Sequence, residues 1–173
     1  MIRIARMEDL DQIMAIVKET VEDLKSENNF QWSDIYPNID HFIQDIKNND
    51  LFIYDKENQV AGFICINQKQ DEAYKGLPWQ SNKAAIVIHR FAIKRDNQRQ
   101  KIGSKLLEYT EGFARNKGIY YIKVDTNTNN YRMNKLFEKN KFNFVGTIHL
   151  RDLIDKFNCY DKVLQKGENN EIR

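Results

Sequence analysis

Four basic side chains, Lys94, Arg95, Arg99 and Lys101, share the short stretch KRDNQRQK with a single acid, Asp96. An apolar run, AAIVIHRFAI, ends just before it at Ile93. A run with helical spacing follows it: Ile102, Leu106, Leu107, Tyr109, Thr110, Phe113 and Ala114. Strand, polar turn and helix in that order make a natural anion site. The first backbone N–H groups of a helix have no intrahelical partner, and the helix dipole favours negative charge there. Gly103, in the first helical turn, would let a ligand come close to the backbone. The chemistry that suits such a turn is the cradling of a pyrophosphate. The local pattern alone leaves an ordinary solvated basic loop equally open, because one glycine is a weak signal.

Groups able to move protons lie nearby in sequence. His89 is on the apolar run itself. It is a candidate general base, or else a core histidine with its hydrogen bonds satisfied, since an imidazole titrating near neutrality is common in both roles. Strict strand alternation would put His89, Phe91 and Ile93 on one face and Arg90 on the other, where it would pair with a helix acid. Glu19 and Glu22 punctuate the polar face of an early helix. Trp32, Tyr36 and Trp79 fall in loop or helix-start segments, where aromatics either line a pocket or cap the core.

The elements that must position these residues follow from periodicity. IRIA is a short strand. EDLDQIMAIVKETVEDLKSE has Leu10, Ile13, Ile16, Val17, Val21 and Leu24 on one helical face. Pro37 opens a second helix carrying Ile39, Phe42, Ile43 and Ile46. DLFIYDKENQVAGFICINQ reads as two strands around a polar turn at Lys56–Asn58. KQDEAYKGLPWQSNK, with Gly76 and Pro78, has no period and is a loop. The run ending at Ile93 is apolar enough for a central strand. Gly118 suits the C-terminus of the helix that follows the basic turn. IYYIKVDT is another strand, and Asn130 is a good N-cap for a helix with Met133, Leu136 and Phe137. FNFVGTIHL and KFNCYDKVL are the last strands, and QKGENNEIR reads as a frayed tail. The order β-α-α-β-β-β-α-β-α-β-β predicts an α/β fold, a mixed sheet with helices on both faces, in one domain over 1–165 with a polar tail at 166–173.

Composition narrows the partners. The 173 residues suit a single domain, and an apolar fraction of 41% supplies a core. Twenty-seven basic against 25 acidic residues give a net charge of +2. That balance argues against a general nucleic-acid binder. Cys65 and Cys159 have no metal-ligand spacing and read as reduced thiols, which fits the cytoplasm. Arg3, Arg6, Glu8 and Asp9 interrupt any leader-like apolar stretch, and no run approaches a membrane span of ~20 residues.

Two motifs in register resemble the GCN5-related N-acetyltransferases (GNAT). The family's Gln/Arg-x-x-Gly-x-Gly/Ala turn is matched by Gln98, Arg99, Gln100, Lys101, Ile102 and Gly103. Its second motif is matched by DTNTNNYRMNKLFEKNKF, with Asn130 at the Asn position, Leu136 and Phe137 at the Leu-Tyr pair, and Phe142 followed by FVG at Phe144–Gly146. The early QW…YPN…DI and the terminal CYDKVL are similar to one branch of the family. The resemblance spans roughly residues 1 to 165.

The resemblance implies a mixed, mostly antiparallel central sheet with helices on both faces, and acetyl-CoA as co-substrate. It implies a cofactor path along Phe91, Ala92 and Ile93, the turn Gln98–Ser104, and Asn130, Asn134 and Phe137. The backbone N–H groups of Phe91 and Ile93 would hold the pantetheine arm and polarise the thioester. An acceptor amine, of a small molecule or peptide, would lie near Glu22, Trp32, Tyr36 and Trp79. His89 and Glu19 would be the base candidates on that side. Tyr160 would be a substitute acid. Three departures matter. Lys101 replaces the first glycine of the turn, Lys141 replaces the glycine before Phe142, and Phe137 replaces the tyrosine that often acts as general acid. Two readings follow: an amine N-acetyltransferase working by direct attack in a ternary complex, or a non-catalytic acetyl-CoA-binding sensor or interaction module. The family resemblance leaves room for a homodimer and names no acceptor.

Overall fold

The computed structural model describes residues 1–151 and 153–166. Among these residues seven strands form one sheet: β1 (Ile2–Ile4), β2 (Leu51–Lys56), β3 (Gln59–Asn67), β4 (Ile86–Ile93), β5 (Tyr121–Asn127), β6 (Asn143–His149) and β7 (Lys156–Val163). Four helices among them cover it: α1 (Leu10–Ser26), α2 (Ile39–Lys47), α3 (Ile102–Asn116) and α4 (Tyr131–Lys139). The strand order is β1-β2-β3-β4-β5-β7-β6. Only β4 and β5 run parallel; every other neighbouring pair is antiparallel.

Local chemistry explains the boundaries. The β2–β3 hairpin turns on Glu57 and Asn58, both with positive φ, as a two-residue turn demands. Helix α2 starts at Ile39, two residues later than proline placement suggested. Asn38 takes the cap, and its side chain accepts from the N–H groups of Asp40 and His41. Gly118, with φ of +68°, follows α3 as a helix-ending glycine. The tail residues 167–173 lie outside the described residues.

The two sheet faces bury separate cores. Helices α1 and α2 close one face with Ile13, Ile16, Val17 and Phe42 packed on Phe63 and Ile53. Helices α3 and α4 close the other with Leu106, Leu107 and Phe137 on Ile64, Ile88 and Ile122. A third cluster, Tyr74, Val87, Ile148, Phe157 and Cys159, lies beneath the long loop between β3 and β4. That loop is irregular apart from a 3-10 turn at Glu72–Tyr74. Cys65 and Cys159 are free buried thiols.

Candidate active site

The parallel pairing of β4 with β5 is short. It runs from Ile86–Ile122 to Ile88–Val124 and stops, although both strands continue. Beyond it the sheet opens in its middle, and a cavity of about 330 Å³ occupies the opening. Its wall includes Phe91, Asn130, Met133 and Phe137 on one side and Trp32, Tyr36, His89 and Asp125 on the other.

A bulge helps to aim the side chains here. Ile88 pairs with Ile66 and Phe91 with Ile64, so His89 and Arg90 together oppose Cys65 alone. The extra residue resets the alternation. Phe91 therefore packs in the same core as Ile86 and Ile88, with Ile93 against it, while Ala92 packs in the opposite core. The expected shared face for His89, Phe91 and Ile93 is thus wrong. His89 and Arg90 both turn toward the α1/α2 face. Arg90 reaches Asp45 of α2 with Nε–Oδ2 at 2.6 Å and Nη2–Oδ1 at 2.7 Å, which supplies the predicted helix acid.

The exposed backbone edge of β4 can be counted from one bond. Lys94 N–H donates to Ala61 O at 2.9 Å. Stepping back by two along an antiparallel ladder sends the N–H of Ala92 to β3 as well. The N–H groups of Phe91 and Ile93 face the other way, toward the gap that β5 has left. Ala92 is thus not part of the open edge.

The basic turn supplies a second set of donors. Arg99 and Lys101 are both left-handed, each with φ of +62°. Lys101 accepts at the usual glycine position the conformation that glycine would adopt without strain. No backbone N–H from Arg99 to Ser104 has a hydrogen-bond partner among the described residues. Successive free N–H groups at a helix start form an anion-binding concavity. Arg95 is drawn away from it, with its side chain on Asp23 at 2.8 Å and its N–H on Glu19 Oε2 at 3.1 Å. Arg99 and Lys101 have no carboxylate within salt-bridge distance among the described residues. The side chains of the turn have other work. Gln98 and Gln100 bond back to Ile93 O and Asp96 O, and Ser104 Oγ accepts from Asn140.

Gly103 also has a packing purpose that its type did not suggest. A Cβ there would stand 2.9 Å from Leu136 Cδ2. The missing side chain lets α3 lie close to α4.

The structure separates the other predicted residues into those at the cavity and those away from it. Asn130 is at the cavity. Its Oδ1 accepts from Met133 N at 3.2 Å as the cap of α4, and its Nδ2 donates to Gln31. Trp32 stacks on Phe63 and Tyr36 accepts from Arg90, so both are wall and core at once. Phe137 is 1% exposed and packs on Phe91, Phe142 and Tyr160. Glu19 and Glu22 are not brought to the cavity; they hold Arg95 at the rim of the turn. Trp79 lies elsewhere, against Tyr74 with Lys123 above its ring. Asn134 is spent on structure. Its amide donates to the carbonyls of Asn127, Thr128 and Asn130, and its Oδ1 accepts from Asn158 and Tyr160. Tyr160 is therefore a buried donor already engaged, and burial raises its pKa.

His89 touches Asn67 Oδ1 at 2.8 Å. Burial, helped by the Arg90 charge, pushes its pKa down to about 4. Three cavity residues escaped sequence reasoning. Gln31 Oε1 gathers Thr126, Asn127 N and Asn130, tying the loop after α1 to the end of β5. Tyr74 donates its hydroxyl to Asp125 Oδ2 at 2.6 Å. Burial holds Asp125 up at about 6, against the hydrogen bond from Tyr74 and the charge of Arg151, which lower it. Asp125 had a sequence signal, as an acid inside the strand IYYIKVDT. Gln31 lies inside the QW…YPN…DI resemblance, which assigns it no role, and Tyr74, which comes from a loop, had no signal.

Comparison with known proteins agrees with this geometry. The model of the acetyltransferase (GNAT) family matches residues 17–142. A Bacillus subtilis (strain 168) protein, YesJ, described as an N-acetyltransferase, is 23% identical over 148 residues, 80% of this chain and 79% of that protein. A crystal structure from Staphylococcus aureus Mu50, of a protein named a candidate acetyltransferase, is 30% identical with a TM-score of 0.75, covering 95% of this chain and 99% of its own. A GNAT structure from Streptococcus agalactiae 2603 has the same fold at 21% identity, with a TM-score of 0.81 and 96% of each chain covered.

Proposed function

Because the chain belongs to the acetyltransferase (GNAT) family and is an acyltransferase, we propose that it moves an acetyl group from acetyl-CoA to a primary amine of a small molecule or peptide, by direct attack in a ternary complex. The observation that carries this reading is two separate sets of unpartnered N–H groups, Phe91 and Ile93 on the open edge of β4 and Arg99–Ser104 at the start of α3. Acetyl-CoA would supply an activated acyl thioester with a pyrophosphate some distance from it, and the two sets suit those two groups.

The chain's own contribution is mostly positional. Backbone donors on a developing oxyanion contribute ~3–4 kcal/mol each, and holding both reactants in one cleft ~7–11 kcal/mol. A general acid or base adds ~10²–10⁴ in rate. A site with Phe137 in place of a tyrosine can therefore still turn over. We read residues 1–165 as one domain of a cytoplasmic protein. Among the described residues no helix is long and apolar enough to cross a membrane.

Phe137 supports the second reading, a non-catalytic acetyl-CoA-binding module, because no hydroxyl stands at that position. Calorimetry with acetyl-CoA and thiol release over a panel of amines separate the two. Binding with turnover supports transfer; binding without turnover of any amine supports the module; no binding sinks both.

A further inference from the structure

Within the transfer reading, on which this inference rests, we propose that Asp125 is the group that takes the proton from the acceptor ammonium, and that Tyr74 is its positioning residue.

Asp125 is the next residue of β5 after the last one paired with β4, so it stands where the sheet opens. Ile122 and Val124 point into the α3 core. Alternation therefore turns Asp125 to the opposite face, the one onto which the bulge turns His89 and Arg90. Its Oδ2 accepts from Tyr74 at 2.6 Å. Its Oδ1 has no hydrogen-bond partner among the described residues and is not sealed from the cavity that Asp125 lines. One oxygen is thus fixed and the other is left to a ligand. Tyr74 is itself held, 3% exposed, with Trp79 against its ring.

The competing groups are occupied. His89 is bonded to Asn67 and, with its pKa pushed down to about 4, is too weak a base to hold an ammonium proton. Asp71 also lines the cavity, but it is exposed and its Oδ1 caps the N–H of Ala73. Tyr160 is engaged by Asn134, and Glu19 by Arg95. The charged and titratable groups facing Asp125 are Tyr74 and Asp71 from the long loop, Arg151 from the β6–β7 turn and Cys159 across the β5–β7 ladder. His89 and Lys69 line the cavity with it.

The step balances without any further reagent. The ammonium gives one proton to Oδ1 and becomes a neutral amine. Its lone pair forms the C–N bond to the thioester carbonyl as the C–S bond breaks. The second nitrogen proton leaves with the thiolate as the free thiol, and the Asp125 carboxyl returns its proton to solvent.

The test uses the full chain, acetyl-CoA, and benzylamine, putrescine and glycinamide as acceptors. Asp125→Asn should cut kcat/KM for the amine by ~10²–10⁴ and remove the acid-side limb of its pH profile, with the KM for acetyl-CoA unchanged. Tyr74→Phe removes a donor to the ionised carboxylate, so that limb should move to higher pH with a smaller loss of rate. Carboxyl ¹³C titration of the protein without substrates should find Asp125 near 6, and higher in Tyr74→Phe. Asp125→Asn activity within tenfold of wild type, with the limb intact, overturns the assignment while leaving the transfer reading standing. A carboxyl titrating near its ordinary value of about 4 and indifferent to Tyr74→Phe also overturns it. Wild-type protein that binds acetyl-CoA but acetylates none of the three amines, whatever the variants do, overturns the transfer reading and this assignment with it.

Discussion

Arg90 of β4 and Asp45 of α2 form a two-pronged ion pair, 2.6 and 2.7 Å, with side chains 13% and 7% exposed. The pair joins the β4 bulge to the helix that covers it. A guanidinium left there without its carboxylate would be a buried charge with little to solvate it. Asp45→Ala should therefore cost ~3–5 kcal/mol, whereas replacing both partners by apolar side chains should cost far less. Urea unfolding of the two variants checks this. A single-variant loss under ~1 kcal/mol would mean that the pair behaves as an exposed one.

Gly103 should reveal itself as a packing residue. Adding a Cβ brings it against Leu136 Cδ2 at 2.9 Å; the leucine is half-buried and can give, so Gly103→Ala should destabilise by at most ~1 kcal/mol through overpacking of α3 on α4. Shortening the obstacle should relieve the strain. In a double-mutant cycle, Gly103→Ala combined with Leu136→Ala should lose less than the sum of the single changes. Strict additivity would show that the two positions do not meet.

The element order was readable because each helix and strand states its own period, and Asn130 and Gly118 punctuate where they should. The residues of the site were less readable, for physical reasons. Alternation along β4 assumed an unbroken ladder, and one extra residue opposite Cys65 turned His89 onto a different face from Phe91. Glycine at 103 looked like room for a ligand, and no sequence signal marked that its missing Cβ also makes room for Leu136. Lysines at 101 and 141 occupy left-handed backbone, which their residue type does not announce. Asn134 and Tyr160 read as chemistry and prove to be each other's partners. Tyr74 reaches Asp125 from a loop 51 positions away, a distance that no local pattern crosses.

His89 should leave a mark on acid stability. In the fold its pKa falls from the usual 6.5 to about 4, burial being the main cause. Between those values the unfolded chain binds a proton that the folded one refuses. The contribution, up to ~3 kcal/mol, is present above pH ~6.5 and lost as pH falls toward ~4. Asp125 acts in the opposite sense. Its folded carboxyl is raised from 3.8 to about 6, so it adds stability below pH ~4 that is lost as pH rises through ~6. His89→Gln should flatten the acid decline, and Asp125→Asn should steepen it. Denaturation midpoints from about pH 4 to about pH 7 read both. Parallel curves for wild type and His89→Gln would show that the ring keeps its ordinary affinity for protons.

Phe137 offers the sharpest intervention in the chemistry. The ring lies at the cavity wall, packed on Phe91, Phe142 and Tyr160. A hydroxyl added by Phe137→Tyr has two fates. If it opens into the cavity, a proton donor stands beside the departing thiolate, stability changes little, and turnover should rise by up to ~10²-fold where thiolate departure limits the rate. If it is driven into the packed aromatics, an unsatisfied polar group costs ~1–3 kcal/mol and turnover gains nothing. The position of Phe137 on the cavity wall favours the first fate. Thiol-release kinetics together with thermal unfolding of the same variant decide between them. Tyr160→Phe is the control. Its hydroxyl is committed to Asn134 at 2.7 Å, so its removal should lower stability and leave the rate of transfer by folded protein close to wild type. A rate lost in Tyr160→Phe and not regained when Phe137→Tyr is added to it would return the acid role to Tyr160.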